Sequence, residues 1–510
     1  MTTRPVRSPA AIKEFGDFQT PTELAGEVCR LLVSLGLKPK AVLEPTCGTG
    51  SFLRRSFDDF PSVQTAVGLE IEPSYLETAA ARLGAELSQG RLRLVQGDFF
   101  STDWQSVLSQ LPDPILIIGN PPWVTNAAIG VLGGSNLPTK RNPGMLRGLE
   151  ALTGKSNFDI SEWMLLRCAE WVLKRTGTLA VLCKTAVARR LLPSLWSTAR
   201  NHFFSTVYRI DAKRHFNAAT SACLLVVSSE LPASGAECPV FPSVSAPSPV
   251  GCFGVCDDIL VADVAAYRSL QRLRSRSQRS QWRSGVKHDA AAILELQPCG
   301  DLFVNGLGET VALEPDYLYP LLKSSELAGR DAPTPTRFVL VTQKSVADET
   351  RSIERLAPLT WAYLSRHAEA LDGRASRIYR GRPQFAVFGV GEYAFSPWKV
   401  AVSGLYANLR FWPVGPVRGR PVLFDDTCYF LSCREEAHAR SLAEALNGPD
   451  AQTFLRALMF PDSKRPVTSE LLGRLDLVSL VPIDGAAQSL ATGAADPSTG
   501  ATGRQIPLFG

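Results

Sequence analysis

Two consecutive prolines stand just behind the apolar run Ile115-Leu116-Ile117-Ile118, in the stretch Gly119-Asn120-Pro121-Pro122-Trp123. The run suits a fully buried strand. Two prolines in the tetrapeptide remove two backbone N–H groups, so the strand end presents acceptors and few donors. Such an end can hold a planar amino group. The Asn120 side-chain oxygen and the Pro121 carbonyl can accept both N–H bonds of an exocyclic NH₂, while Trp123 stacks on the ring that carries it. Taken alone, the same residues also suit a Pro-rich turn after a core strand.

The upstream residues separate the two readings. A short apolar strand over 41–44 leads into Pro45-Thr46-Cys47-Gly48-Thr49-Gly50, where Gly48 and Gly50 permit a tight turn and close approach of a ligand. A second strand over 66–70 ends in Glu70, 20 residues after Gly50, the place of a ribose-binding acid in a nucleotide-binding βαβ unit. A third strand, 91–96, runs into Gly97-Asp98-Phe99, an acid and an aromatic suited to an adenine amino group and face. The loop has neither the third glycine of the dinucleotide fingerprint nor a Gly-Lys-Ser/Thr, so an adenosine without phosphate fits it better than NAD or ATP.

As an ordered set, Glu44 to Gly50, Glu70, Asp98-Phe99 and Asn120-Pro121-Pro122-Trp123 resemble the S-adenosylmethionine-dependent DNA adenine-N6 methyltransferases of restriction–modification systems. The resemblance is to the TaqI-like type with gamma-type motif order: cofactor motifs first, the catalytic motif next, target recognition last. Phe18-Gln19-Thr20-Pro21 resembles that family's leading motif, which helps hold the methionine end of the cofactor. The likeness implies an α/β fold, a Rossmann-like seven-stranded methyltransferase sheet with a C-terminal α+β target-recognition domain. It implies Thr20, Glu44, Gly48, Gly50, Glu70, Asp98, Phe99 and Asn120 as cofactor-binding residues, and Asn120, Pro121, Pro122 and Trp123 as the catalytic motif. Phe216, just before the last expected strand, is the candidate second aromatic against the target base, or else core packing. Trp123 departs from the commoner Tyr or Phe.

Composition is that of an ordinary globular protein. Of 510 residues, 45% are hydrophobic and 20% charged, and the length predicts two or three domains. No run approaches the roughly 18 apolar residues of a membrane span. Eleven cysteines without a CxxC pair and five histidines outside any HExxH pattern suggest reduced thiols and no metal. A cytoplasmic, bacterial-type, nucleoid-associated protein is expected.

Residues 1–230 are expected to form the catalytic domain, with helices over 24–36, 74–87 and 160–174 and later strands over 178–183, 206–210 and 223–227. The irregular stretch 124–157, with Lys140 and Arg141, is expected to close over DNA. Pro- and Ser-rich residues 231–250 read as a linker. Residues 251–484 would be the target-recognition domain. There Arg272, Arg276, Arg279, Arg283 and Lys287 occur with no acid among them, a pattern that suits phosphate contact as well as a solvated helix face. Net charge is only +5, so any positive field must be local. Further strands are predicted over 337–342, 384–387, 400–403 and 428–431, with a helical stretch over 353–370. The mixture of Arg374, Arg377, Arg380, Arg382 and Lys399 with Tyr379, Phe385, Trp398 and Tyr406 suits DNA grooves or, in part, a core. Residues 485–510 have the composition of a disordered tail. It ends in Gln505-Ile506-Pro507-Leu508-Phe509, which resembles the peptide that docks bacterial replication and repair proteins on the DNA sliding clamp through Gln505, Leu508 and Phe509.

The expected function is site-specific methylation of N6 of a flipped-out adenine in double-stranded DNA, within a restriction–modification or related DNA-marking system in which a separately encoded restriction nuclease is a candidate partner. Two rivals stand beside it: a methyltransferase acting on RNA or protein glutamine, and a non-catalytic DNA-specificity subunit of a defence complex.

Overall fold

The computed structural model describes residues 18–123, 160–198, 202–276 and 281–480. Chain contacts divide it into two units, one through Val264 and one from Ala265.

In the first unit, apolar four- to eight-residue runs alternate with amphipathic segments, and a parallel sheet covered by helices results. Its strands are β1 Ala41–Glu44, β2 Thr65–Glu70, β3 Leu92–Gln96, β4 Ile115–Gly119, β5 Gly177–Lys184, β6 Phe204–Ile210 and β7 Ala222–Ser228. The seven expected strands are all present. β1 to β5 are mutually parallel, and β7 lies antiparallel between β5 and β6. β1 and β4 are buried at every residue, which explains why they read as unbroken apolar runs. On one face, alternate residues such as Val42, Leu116 and Ile118 pack with Leu24, Val28, Phe52 and Leu53 of helices α1 Thr22–Ser34 and α2 Ser51–Asp59. The expected helix over 74–87 divides into α3 Pro73–Arg82 and α4 Gly84–Ser88. Helix α5 spans Trp104–Ser109, α6 Ile160–Leu173, α7 Thr185–Thr198 and α8 Ala212–Phe216.

The sheet does not stop at β7. Its order is β10-β9-β8-β6-β7-β5-β4-β1-β2-β3, with β8 Glu237–Phe241, β9 Gly251–Cys256 and β10 Ile259–Val261 added beyond β6. The expected linker 231–250 is therefore partly sheet, and the division between units falls at 264 rather than in the interval 230–250. β8 pairs with β6 through Val207↔Val240 and Tyr208↔Phe241, and Tyr208 stacks on Phe241 at 4.6 Å. A fragment ending at 264 should be more soluble than one ending at 235, which strips the β6 edge of its partner. Equal solubility, measured by sedimentation of the two fragments, would show that the added strands are dispensable.

The second unit is α+β. One sheet runs β11-β20-β17-β18 and another β14-β13-β12-β16-β15-β19. In the first lie β11 Arg283–Ser284, β17 Trp398–Ser403, β18 Trp412–Val414 and β20 Cys428–Cys433. The second comprises β12 Glu295–Cys299, β13 Leu302–Asn305, β14 Thr310–Val311, β15 Leu318–Leu322, β16 Arg337–Leu340 and β19 Leu423–Phe424. The expected strand over 384–387 does not form: Phe385 is buried with φ +61°, a left-handed conformation that interrupts any extended run. The helical stretch over 353–370 is three short helices, Ile353–Leu356, Pro358–Arg366 and Ala368–Asp372.

Lys399 is not a surface cation. It is 1% exposed, and its Nζ donates to Ser396 O at 2.7 Å and Val422 O at 2.9 Å. Burial pushes its ammonium down from the ordinary 10.5 to about 7. A neutral amine still has two N–H bonds for these two carbonyls. Between the two pKa values the unfolded chain binds more protons than the folded one, so this group's contribution to stability grows as pH rises through that window. In urea titrations, the stability of the wild-type chain relative to Lys399→Met should rise by about 1.4 kcal/mol per pH unit from about pH 7.5 to about pH 9. A difference independent of pH would mean that Lys399 keeps its proton in the fold.

Candidate active site

In a doubly wound sheet, ligands bind beyond the carboxyl ends of the strands where the strand order reverses. Here the reversal lies between β1 and β4. β1 ends in Glu44 and β4 in Gly119, so the glycine loop and the Asn-Pro-Pro-Trp motif leave the sheet side by side. A Cβ built on Gly119 would stand 3.6 Å from Glu44 Cγ and 4.0 Å from Thr46 Oγ1.

The loop after β1 needs its glycines. Gly48 and Gly50 have φ of +50° and +78°, and Gly50 caps the start of α2 in a left-handed conformation. A side chain at Gly48 would also collide with Gln19 Oε1, which accepts from Thr49 N–H at 3.1 Å. Glu70, at the end of β2, fastens the loop. Its Oε2 accepts from Gly48 N–H at 2.8 Å, and its Oε1 from Ile71 and Glu72 N–H at 2.9 and 3.0 Å. These bonds orient the carboxylate as an acceptor at the loop's edge, the property required for a ribose diol. Glu44 differs from it. Only 3% exposed and bonded by Leu53 N–H at 3.2 Å, its carboxyl is pushed by burial well above the usual range. Burial likewise pushes the Cys47 thiol up, away from nucleophile chemistry.

Asp98 shapes the turn after β3, its Oδ1 accepting from Phe100 N–H at 3.1 Å. Phe99 is buried, with its ring 5.1 Å from Trp104, 5.9 Å from Trp171 and 6.1 Å from Trp163. Phe100 is half-buried, 5.3 Å from Trp163. Sequence reasoning missed two apolar groups here: Trp163 from α6, and Ile71, which follows Glu70 and is 48% exposed. An apolar residue directly after the acid that ends β2 was the available signal in the sequence.

The Asn120-Pro121-Pro122-Trp123 motif carries an unusual pattern of satisfaction. Asn120 Nδ2 donates to Phe18 O at 2.8 Å, whereas Asn120 Oδ1 is buried with no hydrogen-bond partner. Thr46 Oγ1 and Trp123 Nε1 are also buried and unpartnered. A buried polar atom left unpaired costs about 1–3 kcal/mol, and this strand end leaves open one acceptor, Asn120 Oδ1, and one donor, Trp123 Nε1. Beside them, Phe18, Trp123 and Phe216 form a three-ring cluster with centroids 5.2–5.9 Å apart. Phe216 is delivered by α8. Asp211 caps that helix by accepting from Arg214 N–H at 2.9 Å, and Asn217 ends it with φ +50°. The sequence-predicted pair Trp123 and Phe216 is thus brought together, with Phe18 added. Thr20 and Pro122 are half-buried and Pro121 is buried, all in the same two segments.

The predicted basic residues are dispersed in role. Arg272 is ion-paired with Asp450, and Lys287 Nζ lies 3.3 Å from Asp289 and 3.9 Å from Asp426. Arg283 lies over the Tyr393 ring at 5.1 Å, and Arg276 is exposed. The Arg272–Asp450 pair is exposed, and pairs of this kind are weak. Lys140, Arg141, Arg279, Gln505, Leu508 and Phe509 lie outside the described residues. Among the described residues, no helix is long and apolar enough to cross a membrane.

No family model matches the chain. It is 43% identical over 470 residues to the type II methyltransferase M.NspV of Nostoc sp., an alignment covering 92% of this chain and 98% of that protein. Among solved structures, the type IIL restriction–modification enzyme MmeI in complex with DNA aligns with a TM-score of 0.47 and 13% identity, over 90% of this chain and 72% of that one. A type I restriction–modification methyltransferase subunit from Streptococcus thermophilus gives 0.31 and 15%, over 44% and 46% of the two chains.

Proposed function

Since this chain belongs to the type II methyltransferases, we propose that it is a DNA methyltransferase of a restriction–modification system that modifies N6 of an adenine swung out of the duplex. The observation that carries the base assignment is the buried, unpartnered Asn120 Oδ1 beside the ring of Trp123. It is an acceptor set next to an aromatic surface, the complement of an amino group on a flat ring.

The residues present fit S-adenosylmethionine. Glu70 would hold the ribose hydroxyls, the Gly48–Gly50 turn and Thr46 Oγ1 the methionine end, and Asp98 with Ile71, Phe99, Phe100 and Trp163 the adenine. When bound, this cofactor supplies an electrophilic methyl on a sulfonium. The protein's task is alignment. An adenine amino nitrogen is a poor nucleophile because its lone pair is delocalised into the ring. Hydrogen bonds from N6 to Asn120 Oδ1 and the Pro121 carbonyl favour a more tetrahedral nitrogen with a localised lone pair. Trp123 and Phe216 restrain the ring, so orientation supplies much of the acceleration. Asn120 is neutral and does not take the amine proton, which passes to solvent after transfer.

Labelled cofactor offered with duplex DNA, RNA and protein tests the reading, with digestion of the product to nucleosides. N6-methyladenine from duplex DNA is the expected result. N4-methylcytosine would overturn the base assignment, and label in RNA or protein glutamine alone would overturn the substrate.

A further inference from the structure

We propose that the main-chain carbonyl of Phe18 sets which end of the Asn120 amide meets the target amine, and that Gln19 ties this setting to the cofactor loop. An amide side chain has an acceptor end and a donor end of nearly the same shape, and only the acceptor end can align an amine. Asn120 Nδ2 donates to Phe18 O at 2.8 Å, across 102 positions of sequence. A carbonyl accepts and cannot donate, so the flipped amide would set two acceptors against each other. The pairing therefore leaves Oδ1 as the inward atom, and that atom is buried without a partner.

The carbonyl is itself held from both sides. The Phe18 ring packs on Trp123 and Phe216, with centroids 5.5 and 5.9 Å away. The next residue, Gln19, accepts from Thr49 N–H at 3.1 Å in the turn between β1 and α2. The absence of a side chain at Gly48 is what lets Gln19 come so close. One residue of this short segment thus touches the cofactor loop and its neighbour touches the catalytic amide. Phe18 is a positioning residue: it acts through Asn120. The inference rests on the reading that Asn120 receives an exocyclic amine.

The same geometry says why the position holds an amide rather than a carboxylate. An ionised aspartate in place of Asn120 would press an anionic oxygen against the Phe18 carbonyl, whereas a protonated one would donate to it and keep its other oxygen for the amine. The Asn120→Asp variant should therefore need a proton that the wild-type chain does not. The test is single-turnover methylation of a duplex by the wild-type chain, Asn120→Asp, Phe18→Ala and Phe18→Leu, with cofactor affinity and thermal unfolding measured on each. The Asn120→Asp rate should rise about tenfold for each unit that pH is lowered from about 8 to about 6, relative to the wild-type rate, as the protonated fraction rises. Phe18→Ala should lose about tenfold or more in single-turnover rate with cofactor affinity changed by less than about threefold, and Phe18→Leu should recover most of the loss. An Asn120→Asp rate that is flat or rises with pH overturns the proposal, as does a folded Phe18→Ala chain with the wild-type single-turnover rate. A wild-type chain that methylates no exocyclic amine overturns the parent reading instead, and is told apart by the first measurement.

Discussion

Replacing Asn120 with alanine should lower methyl transfer by roughly 10²–10³-fold, the scale on which loss of one preorganised hydrogen-bonding group slows a reaction. Cofactor affinity should change little, because the contacts that shape the loop after β1 run through Glu70, Gln19 and Thr49. The side chain removed contributes one satisfied bond, to Phe18 O, and one buried acceptor with nothing to accept. Alanine therefore removes an unpaired polar atom as well as a bond, and the fold should lose little stability. Single-turnover rates, with calorimetric cofactor titration on the same preparation, separate chemistry from binding. Wild-type rates in this variant would take the catalytic role away from the Asn-Pro-Pro-Trp motif.

Glu70→Ala should act at the other end of the site, weakening S-adenosylmethionine binding by about 1.5–3 kcal/mol, or roughly 10- to 150-fold in Kd. Two effects combine in that figure. The ribose loses a charged acceptor, and the N–H groups of Gly48, Ile71 and Glu72 lose the carboxylate that orders them. Glu70→Gln distinguishes the two. An amide can accept from only one of the two flanking sets of amides, so it should loosen the loop yet retain one acceptor for the ribose. Affinity between those of wild type and the alanine variant is the expected order. Unchanged affinity in a folded Glu70→Ala chain would reduce Glu70 to a loop fastener.

Strands β1, β2 and β4, which end at or just before Glu44, Glu70 and Asn120, are legible in sequence for one physical reason. A parallel strand covered on both faces must be apolar throughout, and its functional residue must follow at its carboxyl end, so pattern and site are adjacent in the chain. Glu44, Glu70, Asp98 and Asn120 each occupy that place. Where the chemistry depends on residues far apart, the sequence is silent. Glu237–Phe241 contains Pro239 and sits among Pro and Ser, yet it becomes a strand because β6 offers an edge to pair with. Nothing local to Arg272 or Lys287 announces Asp450 or Asp426.

Sequence by itself therefore determined the α/β class and the strand ends at which Glu44, Glu70 and Asn120 stand, because these depend on local pattern and on side-chain chemistry. Tertiary structure alone decided three things. It placed Phe18 and Phe216 against Trp123, it buried Lys399, which the sequence groups with arginines and aromatics suited to DNA grooves, and it left Asn120 Oδ1 rather than Nδ2 without a partner. The reason is common to all three. Burial and hydrogen-bond partnership are properties of the groups that surround an atom, and those groups arrive from as far as 102 positions away in the Phe18–Asn120 pair.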